Sequence, residues 1–212
     1  MVAAPLSVDD LRVGFSGYQP PYTVDILFEL PETDKRFEVL DGDLVMSPAP
    51  TPAHNAAFVE LSWLFRTWLP PRLWVLPGTA VRLPNGDGPI PDLLITSALD
   101  LTKHKKGLPA ALVHTVVEVV SPSNSSVDRV TKKRLYAEAG IPCYWRIEQR
   151  PWREHVGPVP AIVVRLRDKA GDWQQIVAAA GTTSELPVVV DADGTTVLVT
   201  IDPASLAGKR PV

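Results

Sequence analysis

The sequence predicts a mixed, strand-rich α/β domain whose C-terminal third is mostly β. Three observations predict it. Residues 114–120, His-Thr-Val-Val-Glu-Val-Val, form an almost unbroken β-branched apolar run, as a strand buried on both faces requires. After Thr51-Pro52, apolar side chains recur at helical spacing instead: Ala57, Leu61, Leu64, Phe65 and Trp68. From residue 161 onward, short apolar runs alternate with turns rich in Gly and Asp.

The elements follow in order. Residues 1–22 are rich in Pro and Gly and read as a loosely attached arm with a short helix near Ser7. Thr23 is placed to cap a helix through about Leu30, which Pro31 ends. Phe37 to Leu40 and Leu44 to Met46 form a hairpin across Asp41-Gly42, a favoured tight-turn pair. Thr51-Pro52 opens a helix with proline at its first position, and Pro70-Pro71 closes it. Leu73 to Leu76, Thr79 to Leu83, Leu93 to Thr96 and Leu112 to Val120 read as strands. A polar loop from Ser121 to Ser126 feeds a helix from about Val127 to Ala139, closed by Gly140 where left-handed geometry is common. Cys143 to Glu148 is a further strand. Ala161 to Arg167 and Trp173 to Ala179 pair across Lys169 to Asp172. Val188 to Val190 and Thr196 to Ile201 pair across Asp191 to Gly194, with Pro187 just before the strand, where its missing N–H is tolerated. We divide the chain into an arm, 1–22, and one domain, 23–212, with a core of about 23–150 and a β-rich extension over 151–212.

Bulk properties fit one globular domain. The chain has 212 residues, 45% hydrophobic and 21% charged. Cys143 is the only cysteine, so no intrachain disulfide forms, which favours a reducing compartment. Residues 1–11 lack the basic start and long apolar core of a signal peptide, and no apolar run is long enough to span a bilayer. A cytoplasmic protein without a membrane partner is expected. The net charge of −3 argues against a non-specific nucleic-acid binder, which usually has a strong basic surplus. Charge is nevertheless segregated. Residues 1–43 hold nine acids against three bases, and residues 103–134 hold seven bases against Glu118 and Asp128. The basic segment reads equally as a solvated face or a nucleic-acid patch.

Glu118 is the residue that most needs a reason. Burying an ionised carboxylate in such a strand costs several kcal/mol unless a cation or strong donor meets it. It is either a structural glutamate paired with an arginine or a metal ligand, and the second reading needs another carboxylate nearby. Asp92, between Pro91 and the apolar Leu93-Leu94-Ile95, supplies one. Two neighbouring strands, each carrying one acid into the same cleft, make an oxygen site for a hard divalent ion. Asp128, Lys132 and Tyr136 stand four apart and share a helix face, though Asp128 with Lys132 is also a common stabilising ion pair. His54, at a helix start, reads first as a surface residue or local capping partner, with a catalytic role as the alternative. His104 and His114 do not fall at zinc-ligand spacing with a cysteine.

Several motifs stand in one order: Arg36-Phe37-Glu38-Val39-Leu40-Asp41-Gly42-Asp43-Leu44-Val45, Pro91-Asp92, Glu118-Val119-Val120-Ser121-Pro122-Ser123, Asp128-x-x-x-Lys132-x-x-x-Tyr136 and Gly140-Ile141-Pro142-x-Tyr144-Trp145. In them the chain resembles the Uma-type putative restriction endonucleases, a branch of the PD-(D/E)XK nuclease superfamily, over roughly residues 22–150. The resemblance implies a restriction-endonuclease-like mixed sheet flanked by helices and a Mg²⁺- or Mn²⁺-dependent endonuclease hydrolysing DNA. It makes Asp92 and Glu118 the metal ligands, with a carbonyl near Val119 as a further one, and turns Glu38 into the cleft as an additional acid. The superfamily's lysine two residues after the second acid is here Val120, and Lys132 is the expected substitute. Lys105, Lys106, Arg129, Lys133 and Arg134 are the candidate DNA contacts, and cutting both strands is simplest for a two-fold homodimer. The vacant position at Val120 and the acidic balance keep open a catalytically degenerate module that binds nucleic acid or protein on a nuclease scaffold.

Overall fold

A six-stranded mixed sheet organises the chain in the computed structural model, which describes residues 18–31, 35–98, 100–121, 125–168 and 170–209. The predicted helix near Ser7 lies outside the described residues. In chain order the elements are β1 (Arg36–Leu40), β2 (Asp43–Ser47), α1 (Pro52–Trp68), β3 (Trp74–Pro77), β4 (Val81–Arg82), β5 (Leu93–Thr96), β6 (Leu108–Pro109) and β7 (Val113–Val120). Then come a π-helical stretch (Val127–Lys132) continuing into α2 (Lys133–Glu138), followed by β8 (Cys143–Glu148), β9 (Ala161–Arg167), β10 (Trp173–Ala179), β11 (Ser184–Val189) and β12 (Thr196–Ile201). The sheet order is β10-β9-β8-β7-β5-β3. Within this sheet only β7 and β8 pair in parallel, and the helical segment between them is their crossover.

Alternation along β7 sorts its side chains onto two faces. Val117 and Val119 meet α1 residues Ala57, Leu61 and Phe65 and the β11–β12 hairpin. Val116 meets Val127, Leu135 and Tyr136 of the helical segment. Glu118 has the parity of Val116, so it enters the face covered by α2. The β1–β2 hairpin and the short parallel pair β4–β6 close that face, through Leu40, Val45, Val81 and Leu108. Asp41 and Gly42 take φ of 54° and 74°, the conformation that a two-residue hairpin turn demands.

Several sequence expectations need correction. Residues 23–30 form only a 3₁₀ turn, Val24–Phe28, and Thr23 makes no side-chain cap. Thr79 to Leu83 is strand only at Val81–Arg82. Trp68 was placed on the core face of α1 but is 46% exposed, because the stripe through Ala57, Leu61 and Phe65 has rotated past it by the last turn. Pro187 is inside β11 opposite Leu198; there it needs no N–H, and its carbonyl accepts from Trp145 Nε1 at 2.9 Å. Lys132 stands in a π-helical turn rather than an ordinary α-helix.

Candidate active site

Strand register brings the two predicted acids together. Leu93 pairs with Val117 in antiparallel β5 and β7, so Asp92, one step before β5, comes opposite Glu118. Asp92 Oδ2 accepts from Val119 N at 2.8 Å and lies 3.1 Å from His54 Nε2. Thr51 fixes that histidine by capping α1, accepting from His54 N at 3.2 Å. Sequence reasoning set His54 aside. The signal for it lay in its place in the first turn of a helix packed on β7, and its contact with Asp92 is long-range.

Glu38, in β1, pairs with Val45 and is only 4% exposed. Its Oε2 is 2.9 Å from Lys132 Nζ, which is also 3.0 Å from Glu118 Oε1 and 3.8 Å from Asp128 Oδ1. Ser47 donates to Glu38 Oε1 at 3.0 Å. Tyr136, one turn beyond Lys132, donates to Glu118 Oε1 at 2.7 Å. The ammonium of Lys132 thus reaches the carboxylate that a lysine at position 120 would have faced, while Val120 itself is buried as an apolar side chain. Asp128 joins the cluster, which its four-residue spacing from Lys132 signalled only ambiguously. A cavity of about 40 Å³ is ringed by Glu38, His54, Asp92, Glu118, Asp128 and Lys132.

The charge balance of this cavity is lopsided. Burial pushes the Glu118 carboxyl well above the usual range, and the neighbouring Asp128, Asp92 and Glu38 push it further against the pull of Lys132. Burial likewise lifts Asp128 to about 7, with Lys132 opposing and Asp92 and Glu38 reinforcing. Lys132 loses to burial but gains more from Glu118, Glu38 and Asp128, and stays firmly protonated. Burial opposes the charge on Asp92, but His54 and the Val119 N–H outweigh it and lower its pKa. Burial lowers the His54 pKa, but Asp92, with Asn55 and Asp128 adding to it, outweighs that and raises it.

These donors suit a hard divalent cation in kind and charge. Three buried carboxyl groups and the part-buried Asp92 surround one lysine, and Glu38 Oε2 receives no directed hydrogen bond although Lys132 is near. Among the described residues no three His, Cys, Asp or Glu side chains already surround one point.

The candidate DNA contacts divide by their partners. Arg129 forks onto Glu148 at 2.8 and 2.7 Å. Arg134 holds Asp41 at 2.7 Å and Glu138 at 2.9 Å. Lys106 lies 3.9 Å from Glu29. Lys133 is half-buried, and burial, Arg165 and Arg146 together lower its pKa. Lys105 is exposed on a groove described below. Cys143 is buried in the core, and burial lifts its thiol to about 11. Among the described residues no helix is long and apolar enough to cross a membrane.

A family model described as "Uma2: Putative restriction endonuclease" matches residues 24–196. No curated protein matches the chain. Among solved structures, a putative nuclease belonging to DUF820 from Anabaena variabilis ATCC 29413 superposes with a TM-score of 0.63 at 17% identity. The superposition covers 88% of this chain and 98% of that one, and at such identity it speaks for the fold.

Proposed function

The chain belongs to the Uma2 family of putative restriction endonucleases, and from that premise we propose that it is a divalent-metal-dependent endonuclease hydrolysing DNA phosphodiester bonds at the acidic cavity. The observation that carries the reading is Lys132. It comes from a different element, yet its ammonium stands 3.0 Å from Glu118, where Val120 left the superfamily's cation missing. Asp92 and Glu118 would hold Mg²⁺ or Mn²⁺, with Glu38 beside them. Such an ion supplies Lewis acidity, polarising a phosphodiester and lowering the pKa of a water.

The chain's own groups do the rest. His54 and the Val119 N–H fix the orientation of Asp92. Tyr136 holds Glu118 Oε1. Lys132 carries a permanent positive charge for the developing charge on phosphate. Cleavage of both strands of a duplex would follow from a two-fold pair of chains, each cutting one.

A second reading is a binding module without catalysis. It is favoured by the cavity itself, whose 40 Å³ is close to the room of a single water, with Lys132 already satisfied by carboxylates.

One experiment separates the readings. Thermal melting is followed against Mn²⁺, and nicking of plasmid DNA is assayed alongside. Wild type should melt higher with Mn²⁺ and nick the plasmid. Glu118→Ala should lose both the shift and the nicking. Lys132→Met should keep the shift and lose the nicking, since lysine is not a ligand. Binding of DNA with neither shift nor nicking would establish the degenerate module instead.

A further inference from the structure

A groove of about 550 Å³ opens beside the acidic cavity, and Arg36 and Ile90 line both spaces. Its size is that of a pocket for a small organic ligand, far larger than the cavity it joins. Leu27, Phe28 and Ile90 give it apolar lining, and Phe28 is 41% exposed. Arg36, His104 and Lys105 stand on the rim. Two glycines shape the walls. Gly78 takes φ +47°, which residues other than glycine rarely adopt, and lies beside the Arg36 guanidinium, 3.7 Å from where its Cβ would stand. Gly107, at φ +87°, lets its loop close onto Ala80, whose carbonyl would be 2.6 Å from a Cβ there.

The rim cations differ from their neighbours. Arg129, Arg134 and Lys106 each stand beside a carboxylate, Arg129 beside the buried Glu148 and the other two in exposed pairs. Among the described residues neither Arg36 nor Lys105 forms an ion pair. Exposed cations beside an exposed aromatic side chain form the pattern that holds a nucleic-acid strand through its phosphates and bases.

We propose that this groove holds a single nucleic-acid strand on one side of the scissile phosphate, with a base stacked on Phe28 and phosphates on Arg36 and Lys105. The proposal rests on the nuclease reading of the adjoining cavity. Arg36, lining both spaces, meets the phosphate nearest the cut. A base stacked on Phe28 must leave its duplex partner, so the groove prefers single-stranded or frayed substrate over intact duplex.

The test is binding, measured by fluorescence anisotropy without divalent ions so that no strand is cut. A labelled single strand and the duplex of the same sequence are titrated with the full chain at several salt concentrations. The single strand should bind more tightly. Phe28→Ala should weaken single-strand binding about 10-fold with the salt slope unchanged. Arg36→Ala should weaken it and reduce the log–log salt slope by about 0.7, the share of one phosphate contact. Arg72→Ala, on an exposed turn beyond α1, should do neither. Circular dichroism melts check that each variant is folded. Single-strand binding unaffected by either Phe28→Ala or Arg36→Ala, or a preference for duplex, overturns the groove and leaves the nuclease reading standing. Failure of wild type to bind either form also overturns the groove, and the nuclease reading then stands or falls on the nicking assay.

Discussion

Asp128 and Lys132 stand one helical turn apart, and burial treats them oppositely. Lys132 keeps its charge because Glu118 and Glu38 surround it, whereas Asp128 is lifted to about 7. In the unfolded chain an aspartate titrates near 4. Between about pH 4 and 7 the folded protein therefore holds a proton that the unfolded chain has released, and stability falls as pH rises through that window. Wild type should melt higher at about pH 5.5 than at about pH 8. Asp128→Asn keeps the shape and cannot ionise, so the difference should narrow, and comparing the two proteins cancels the titrating groups that do not interact with Asp128. Identical pH dependence in both would remove Asp128 from the balance. At this scale the site was legible where the chain contradicts itself: Asp92 and Glu118 are acids set into apolar runs, and the strand period assigns their face. His54 was only faintly legible, because its partner is 38 residues away and its place at a helix start alone set it apart from a surface histidine.

Among the elements, the helical segment after β7 decides where Lys132 goes. Its π-helical turn, Val127–Lys132, is pinned at two points. Tyr144 donates to the Asp128 carbonyl at 2.8 Å, and Arg129 forks onto Glu148, which is 1% exposed. Glu148 also takes Arg146 Nε at 2.8 Å, so one buried carboxylate ties β8 to the helix. Arg129 was an expected DNA contact, and its geometry favours the anchoring role. Arg129→Met should cost about 1.5–3 kcal/mol in urea denaturation, the range for a hydrogen bond to a charged group. It should also reduce nicking by loosening Lys132, while the salt slope of DNA binding stays unchanged. A reduced slope with unaltered stability would restore Arg129 to the DNA surface. Sequence periodicity located this helix and its closing Gly140, but π-turn geometry has no sequence signature. The same limit applies to β4, where Thr79 to Leu83 has strand composition and only two residues find a partner.

Across the whole molecule, the last strands stabilise the sheet from the face opposite the site. β9 and β10 complete the sheet, and β11–β12 lies on the face opposite the acids, where Leu186, Val188, Val199 and Ile201 are buried against Val117, Trp145 and Val164. The alternation of short apolar runs made this hairpin visible in the sequence; its docking was not visible, because it depends on Thr115, a polar residue inside the strand that carries Glu118. Thr115 Oγ1 donates to Val189 O at 2.9 Å and accepts from Val189 N at 3.1 Å, so one fully buried hydroxyl satisfies both backbone groups of a strand 74 residues away. Thr115→Val preserves volume and β propensity but answers neither group. Each unsatisfied buried backbone group costs about 1–3 kcal/mol, so two approach a large part of the roughly 5–15 kcal/mol that holds an ordinary domain together. The variant should show a lower urea midpoint with an unchanged slope, and slower hydrogen exchange at the Val189 amide should be lost along with it. Because Glu118 is three residues on, facing away, Mn²⁺ should still raise the melting temperature by the wild-type amount. A Thr115→Val protein as stable as wild type would mean that the hairpin is held by apolar burial alone, and a lost Mn²⁺ response would mean that its docking sets the position of Glu118 as well.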